Sequence, residues 1–299
     1  MMLFVFTACD DTNVHDHNFV DTVKDGKAIK VCTICGEEAA STFSVVSKAE
    51  DFAALAEDVK GVVLADNLTV ATTITLNRDL VIALNGKTIT GEKTRVLFIT
   101  AGNVEIIGKG LITVSEGIKD DSSVIRVGDN EGEERDVSLK IGKDVVVKSD
   151  YSYGVGAFGK KTNETVVIDG DVYTKVSPAV AGNGTDTTTP TNITINGNLT
   201  TEDEYCIYHP QAGEILINGK IVGKGGIELK GGTLKLGDNS LIKATATAQT
   251  HIPSSNGTST SGYAIAIVMN ADYVGNVQYI QNNKATVEGI VLTLQDKKE

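Results

Sequence analysis

One phrase returns through the middle of this chain: apolar, any residue, apolar, a corner bearing Gly or Asn, then apolar again. It reads Val104-Glu-Ile-Ile-Gly-Lys-Gly-Leu111, Leu139-Lys-Ile-Gly-Lys-Asp-Val145, Val166-Val-Ile-Asp-Gly-Asp-Val172, Ile193-Thr-Ile-Asn-Gly-Asn-Leu199, Ile215-Leu-Ile-Asn-Gly-Lys-Ile221 and Leu234-Lys-Leu-Gly-Asp-Asn-Ser-Leu241. The copies start at 104, 139, 166, 193, 215 and 234, so the steps are 35, 27, 27, 22 and 19 residues. A fixed phrase at such a step marks stacked units that touch only their neighbours, not a closed globule. A second strand recurs between the copies: Val96–Ile99, Ser123–Val127, Tyr153–Phe158, Pro178–Gly182, Tyr205–Tyr208, Gly226–Leu229 and Tyr263–Val268. Each repeat thus supplies about three short strands, and no helical crossover separates them. The expected class is all-β, a right-handed single-stranded parallel β-helix.

Inward side chains of such a solenoid stack from coil to coil. Ile106, Ile141, Ile168, Ile195, Ile217 and Leu236 are expected to form one ladder, and Cys206 to be a buried free thiol. The corners Asn85-Gly86, Asn183-Gly184, Asn196-Gly197, Asn218-Gly219 and Asn256-Gly257 fit turns that need φ > 0, and stacked Asn could bond in ladders. These glycines lead into strands, whereas phosphate-binding glycine loops lead into helices. Insertions Asp129–Asp136, Gly184–Pro190 and Thr245–Gly262 are expected to bulge from corners, where solenoids carry recognition.

The 299 residues hold 27 Lys+Arg against 39 Asp+Glu, a net charge of −12, which argues against a nucleic-acid surface. The same charge disfavours an anionic polysaccharide unless calcium or a local basic patch intervenes. No apolar run approaches the roughly 18 residues of a membrane span. Met1-Met-Leu-Phe-Val-Phe-Thr-Ala-Cys9 reads as the remnant of a lipoprotein signal with Cys9 as the lipidated residue, followed by a polar tether from Asp10; an ordinary apolar N-terminus is the alternative. The expected location is export, with a lipid anchor in a bacterial envelope as the only membrane contact.

Residues 10–43 form a separate small segment. His15-Asp-His17 and Cys32-Thr-Ile-Cys35-Gly36 offer two imidazoles and two thiols, the donor set of a tetrahedral zinc site. A segment this short would fold through its metal. A Cys32–Cys35 disulfide, or two unrelated thiols, are the other readings. Residues 44–299 are assigned to the β-helix, and residues 48–59 to a capping helix. That helix opens on the box Ser47-Lys-Ala-Glu50, carries Phe52, Leu55, Ala56 and Val59 on one face, and is placed to cover the open end of the solenoid.

The helix, the run Val62-Val-Leu-Ala-Asp-Asn-Leu-Thr-Val70 and Leu84-Asn-Gly-Lys-Thr-Ile-Thr90 resemble the opening of pectin-lyase-like β-helix surface proteins. The stretch from Pro178 through Ile193-Thr-Ile-Asn-Gly197 and Cys206-Ile-Tyr-His-Pro-Gln-Ala-Gly213 to Leu234 resembles an adhesin-like branch of that superfamily. The N-terminal segment is similar to small His-x-His…Cys-x-x-Cys-Gly modules of bacterial surface proteins. The resemblance covers roughly residues 47–290; it implies the fold and a surface location, and no agreed catalytic residues. The Asn-Thr-Asp, Gly-His-Gly and Arg-Ile-Lys motifs of the superfamily's hydrolases are absent. Of four arginines, Arg126 is the one placed to serve a lyase, beside the acidic loop 129–136, and Asp169 and Asp171 are spaced for acid–base work or calcium. Solvated arginine and turn aspartates are the plainer readings.

Tyr205, Tyr208 and His209 form the densest aromatic and imidazole cluster, with Tyr153 upstream. They are the candidate ligand-binding residues, by stacking on sugar rings; the alternative is that they fill the core and steady a turn. The expectation is therefore a monomeric, non-catalytic adhesion or glycan-binding module facing a glycan or host-matrix ligand. An atypical polysaccharide lyase or glycoside hydrolase, and a structural spacer, are the alternatives.

Overall fold

The ladder Ile106, Ile141, Ile168, Ile195, Ile217, Leu236 runs unbroken through consecutive strand pairs, each residue opposite the next. The computed structural model describes residues 15–92, 95–115, 123–182, 189–254, 257–269 and 277–295. Cys9 and the rest of the proposed signal, Asn183-Gly184, most of the insertion Gly184–Pro190, and Asn256 lie outside the described residues.

Three long parallel sheets build a β-helix. Sheet 1 has ten strands, from Ser44–Val46 to Val277–Gln281; sheet 2 has nine, from Leu68–Val70 to Thr286–Glu288; sheet 3 has nine, from Ile74–Leu76 to Val291–Gln295. The recurrent phrase is the end of a sheet 1 strand, a corner, and the start of a sheet 2 strand. The second recurrent strand is sheet 3. Sheet 2 contributes its own inward ladder, Ile112, Val147, Val172, Leu199, Ile221 and Ile242. Sheet 3 adds Leu97, Ile125, Val155, Val180, Ile207, Ile227 and Ile265. Alternation explains this: period-2 side chains place every second residue inside, and parallel register repeats that choice in each coil. One continuous apolar cluster from Val46 to Ile267 results. Cys206 is buried in it as a free thiol, and burial pushes that thiol up to about 12.

The capping helix is shorter than predicted. Only Ala49–Ala54 is helical, as a 3-10 turn, and Leu55 is already extended. The Asp51 carboxylate accepts from the backbone N–H groups of Ser47 and Lys48, so Asp51, not Glu50, closes the cap. Phe52 is buried against the first coil, and Leu55 and Val59 pack on the core from the extended chain that follows. A short helix suffices because Leu55 and Val59 reach the core from the extended chain, leaving Phe52 as the one buried side chain that the helix itself contributes.

The corner glycines split into two kinds. Asn85 and Gly86 have φ of 52° and 75°, the left-handed pair that the sequence called for. Gly197 and Gly219 do not have positive φ; they are required by close approach. A Cβ on Gly197 would sit 1.9 Å from the Gly170 carbonyl oxygen, and one on Gly219 would sit 1.9 Å from that of Gly197. Coils stacked at about 4.8 Å leave no room there. Gly219→Ala is expected to lower stability by about 2 kcal/mol through this overlap, read as the urea midpoint; an unchanged midpoint contradicts the close-approach account. Beside these glycines the Asn side chains do form a ladder: Asn218 donates to Asn196 at 2.9 Å and Asn196 to Asp169 at 2.7 Å.

Ahead of the solenoid, Phe19–Lys24, Lys27–Cys32 and Glu38–Ala40 form a three-stranded antiparallel sheet. The insertion 245–262 folds into a hairpin, Thr250–Ser254 with Gly257–Ser261. Through Thr260 it is bonded to Glu228 and Tyr205 of sheet 3.

Candidate metal centre and the outer face of sheet 3

The annex is a hairpin before it is a site. Asp25 and Gly26, both at positive φ, make the two-residue turn that pairs Phe19 with Cys32. This register carries His15 and His17, just ahead of Phe19, alongside the end of the second strand. After Cys32 the chain reverses: Gly36 N–H bonds to Cys32 O at 2.9 Å, and Gly36 takes φ +76°. The backbone N–H groups of Cys35 and Ile34 then point at the Cys32 sulfur. Burial resists ionisation of Cys32, but those N–H groups and the His15 and His17 rings outweigh it and bring the thiol down to about 5.

One donor atom from each of His15, His17, Cys32 and Cys35 lies within 4.8 Å of all the others. Cys32 Sγ is 3.7 Å from His15 Nε2, and Cys35 Sγ is 3.6 Å from His17 Nδ1. An ion bound tetrahedrally at about 2.3 Å from sulfur and about 2.05 Å from nitrogen would hold such a pair about 3.6 Å apart. The donors therefore stand where a tetrahedral ion needs them. His17 offers its other nitrogen, Nε2, to Glu37 Oε2 at 3.4 Å, the carboxylate–imidazole contact that orients a ligating histidine. Neither cysteine is in a disulfide. Between residues 15 and 43 the sole fully buried side chain is Cys32 itself.

Asp169 and Asp171, the residues read for calcium or acid–base work, stand at corners of the coil stack. Their carboxylates accept from Asn196 at 2.7 Å and from Asn198 at 2.6 Å, one coil on, and so belong to the corner ladders. Among the described residues the His/Cys quartet is the cluster that gathers metal-binding atoms.

The tyrosine cluster is also corrected in part. Tyr205 is 4 % exposed, its hydroxyl bonded to Thr260 of the hairpin, and His209 is 0 % exposed. His209 points inward, in the row of Val127, Ala157 and Leu229, and burial, opposed by the Gln211 backbone, drops its imidazole to about 4. Neither residue can meet a ligand in this arrangement. Tyr208 and Tyr153 stay half-buried on the outer side of sheet 3.

That outer side joins Arg126 and Tyr208 to residues that the sequence alone did not single out, Phe98, Phe158, Glu228 and Lys230. Phe98, Arg126, Gly156, Ala181, Tyr208 and Glu228 occupy one outward row. The Arg126 guanidinium lies over the rings of Phe98 and Phe158, at 5.1 and 4.6 Å, and Arg95 lies over Phe98 at 5.3 Å. Desolvation, with Arg95 alongside, lowers Arg126 from its ordinary range. The acidic loop does not pair with Arg126: Asp129 binds Arg135 at 2.7 Å. Lys230, 2 % exposed, bonds Glu228 at 3.4 Å and lies over the Tyr208 ring at 5.5 Å. On sheet 1 the outward positions instead hold ion pairs such as Glu105–Lys140 and Glu214–Lys235. Outward alternation along Val96–Ile99 was the available signal for Phe98.

No family model, no curated protein and no solved structure matches this chain. The fold and these two arrangements define it as a parallel β-helix with a metal-competent annex.

Proposed function

We propose that this chain is a non-catalytic binding module of a bacterial cell surface, exported and lipid-anchored, whose ligand is a glycan or matrix surface met by the outer face of sheet 3. The observation that carries the reading is the concentration of half-buried Phe98, Arg126, Phe158, Tyr153 and Tyr208 there, away from the ion-paired outer face of sheet 1. Rings of this kind stack on the apolar faces of sugars, and guanidinium groups bond their oxygens. The missing hydrolase motifs and the adhesin-like resemblance support a binding role over catalysis. Phe158→Ala with Tyr208→Ala is expected to weaken glycan or matrix binding by about tenfold, measured on a glycan array and by calorimetry. Silence of the array and of a matrix screen, or variants that bind as well as the parent, count against it. Product release from a polysaccharide, abolished by Arg126→Ala, would replace it with a lyase.

The annex quartet is proposed to hold zinc as a structural ion: four protein donors fill a tetrahedral shell and leave no open position for substrate. Purified chain carrying less than about half an equivalent of zinc rejects this assignment.

A further inference from the structure

Cys32 and Cys35 differ in exposure while sharing one turn. Cys32 is 1 % exposed and Cys35 is half-exposed, and their sulfurs lie within 4.8 Å of each other. The Gly36 N–H to Cys32 O bond closes the turn around them, so the pair is held together by backbone rather than by the ion alone. A Cys-x-x-Cys turn is one of the few arrangements in which the same two sulfurs can ligate a metal or bond to each other. Cys206, the third described cysteine, is sealed in the core and takes no part.

From this geometry we infer that the annex centre is an oxidisable clasp: hydrogen peroxide converts Cys32 and Cys35 to a disulfide and expels the zinc. The inference rests on the zinc reading above. The accessible Cys35 thiolate attacks the peroxide; the O–O bond breaks, Cys35 becomes a sulfenic acid, and hydroxide leaves. The Cys32 thiolate then attacks that sulfur, forming the S–S bond and releasing a second hydroxide. Two thiolates have lost two electrons, the peroxide has gained them, and two protons from solvent make two waters. A disulfide sulfur is a far poorer zinc ligand than a thiolate, and two imidazoles alone do not hold the ion, so it departs hydrated. His15 and His17 are then left as unbridged side chains on the hairpin.

The test uses the full chain loaded with one equivalent of zinc and treated with hydrogen peroxide. Zinc is followed with a metallochromic dye, and the cysteines by peptide mass. The expected result is release of all the bound zinc, together with a peptide containing Cys32 and Cys35 that is lighter by two hydrogens, and recovery of zinc binding after dithiothreitol and fresh zinc. Cys206→Ser should behave as the parent does. Zinc retained under peroxide, or zinc lost with sulfinic acid in place of the disulfide, overturns the clasp while leaving the zinc site standing. A chain that never takes up zinc fails at the earlier step, and the two failures are told apart before peroxide is added.

Discussion

Stripping the zinc proposed for the annex should unfold the annex and leave the solenoid intact. Residues 15–43 have no apolar core of their own: their one fully buried side chain is Cys32, a member of the His/Cys quartet. A three-stranded antiparallel sheet of six-, six- and three-residue strands is too small to hold itself together in water. Its ties to the first coils are few, chiefly Thr22 bonding Asn85 at 2.8 Å and the ring of Phe43 lying over Gly61. Structural zinc in small modules contributes on the order of 10 kcal/mol at neutral pH, more than these ties replace. Addition of a chelator, or Cys32→Ser, is thus expected to abolish amide protection across Phe19–Ala40, and limited proteolysis should cut there first. Protection in the three long sheets should not change. An annex equally protected with and without chelator contradicts the account.

Replacing Glu164 by Gln should stabilise the protein at neutral pH. Glu164 is 0 % exposed at the junction of sheets 3 and 1, and burial raises its carboxyl to about 7 against the hydrogen bonds of Thr162 and Thr191 and the charge of Arg126. A carboxyl raised from its ordinary 4.5 to about 7 favours the folded state fully below pH 4.5. That advantage is lost as pH rises towards 7, on the order of 3 kcal/mol in all. His209 acts in the opposite sense. Depressed from 6.5 to about 4, it favours folding above pH 6.5 and loses that contribution as pH falls through 4. In the parent the two trends oppose each other between pH 4.5 and 6.5 and largely cancel. Glu164→Gln removes one of them, so the variant should match the parent near pH 4.5 and exceed it by about 3 kcal/mol at pH 8. Within the variant, stability should rise with pH from about 4 to 6.5 as the His209 contribution emerges. Urea midpoints across that range decide it; a variant weaker than the parent at pH 8 refutes the assignment.

The solenoid was legible because its information is local and repeated. Alternation at Val104–Ile106 or Ile193–Ile195 fixes which side chains face inward, and the corner fixes where the next strand begins. The metal quartet was legible because Cys-x-x-Cys-Gly encodes its own turn, while its histidine partners depend only on a hairpin with an Asp-Gly turn. Glu37 escaped notice because a carboxylate after such a turn has no meaning until His17 is placed. Tyr205 also stands two residues from Ile207, but the core takes Cys206 in its place, so the burial of Tyr205 depends on Thr260, fifty-five residues later, and on a hairpin whose path no repeat dictates. His209 is a different case. It follows Ile207 by two residues, so the same alternation that buries Ile207 buries His209, and a polar residue type masked that signal. The capping helix is shorter than its spacing suggests because apolar spacing and a capping box are propensities, whereas the segment has only to seat Phe52 and return the chain to Gly61.

The coil-to-coil ladders described above also set how the molecule bears load. Strands lie across the long axis, so the hydrogen bonds joining one coil to the next point along it. Tension entering through the N-terminal segment pulls those bonds open end-on, one rung after another, instead of shearing a whole ladder at once. A chain tethered at that end and gripped along its flank would pay out length in steps of a single coil, yielding gradually where a shear-loaded sandwich domain would hold and then snap.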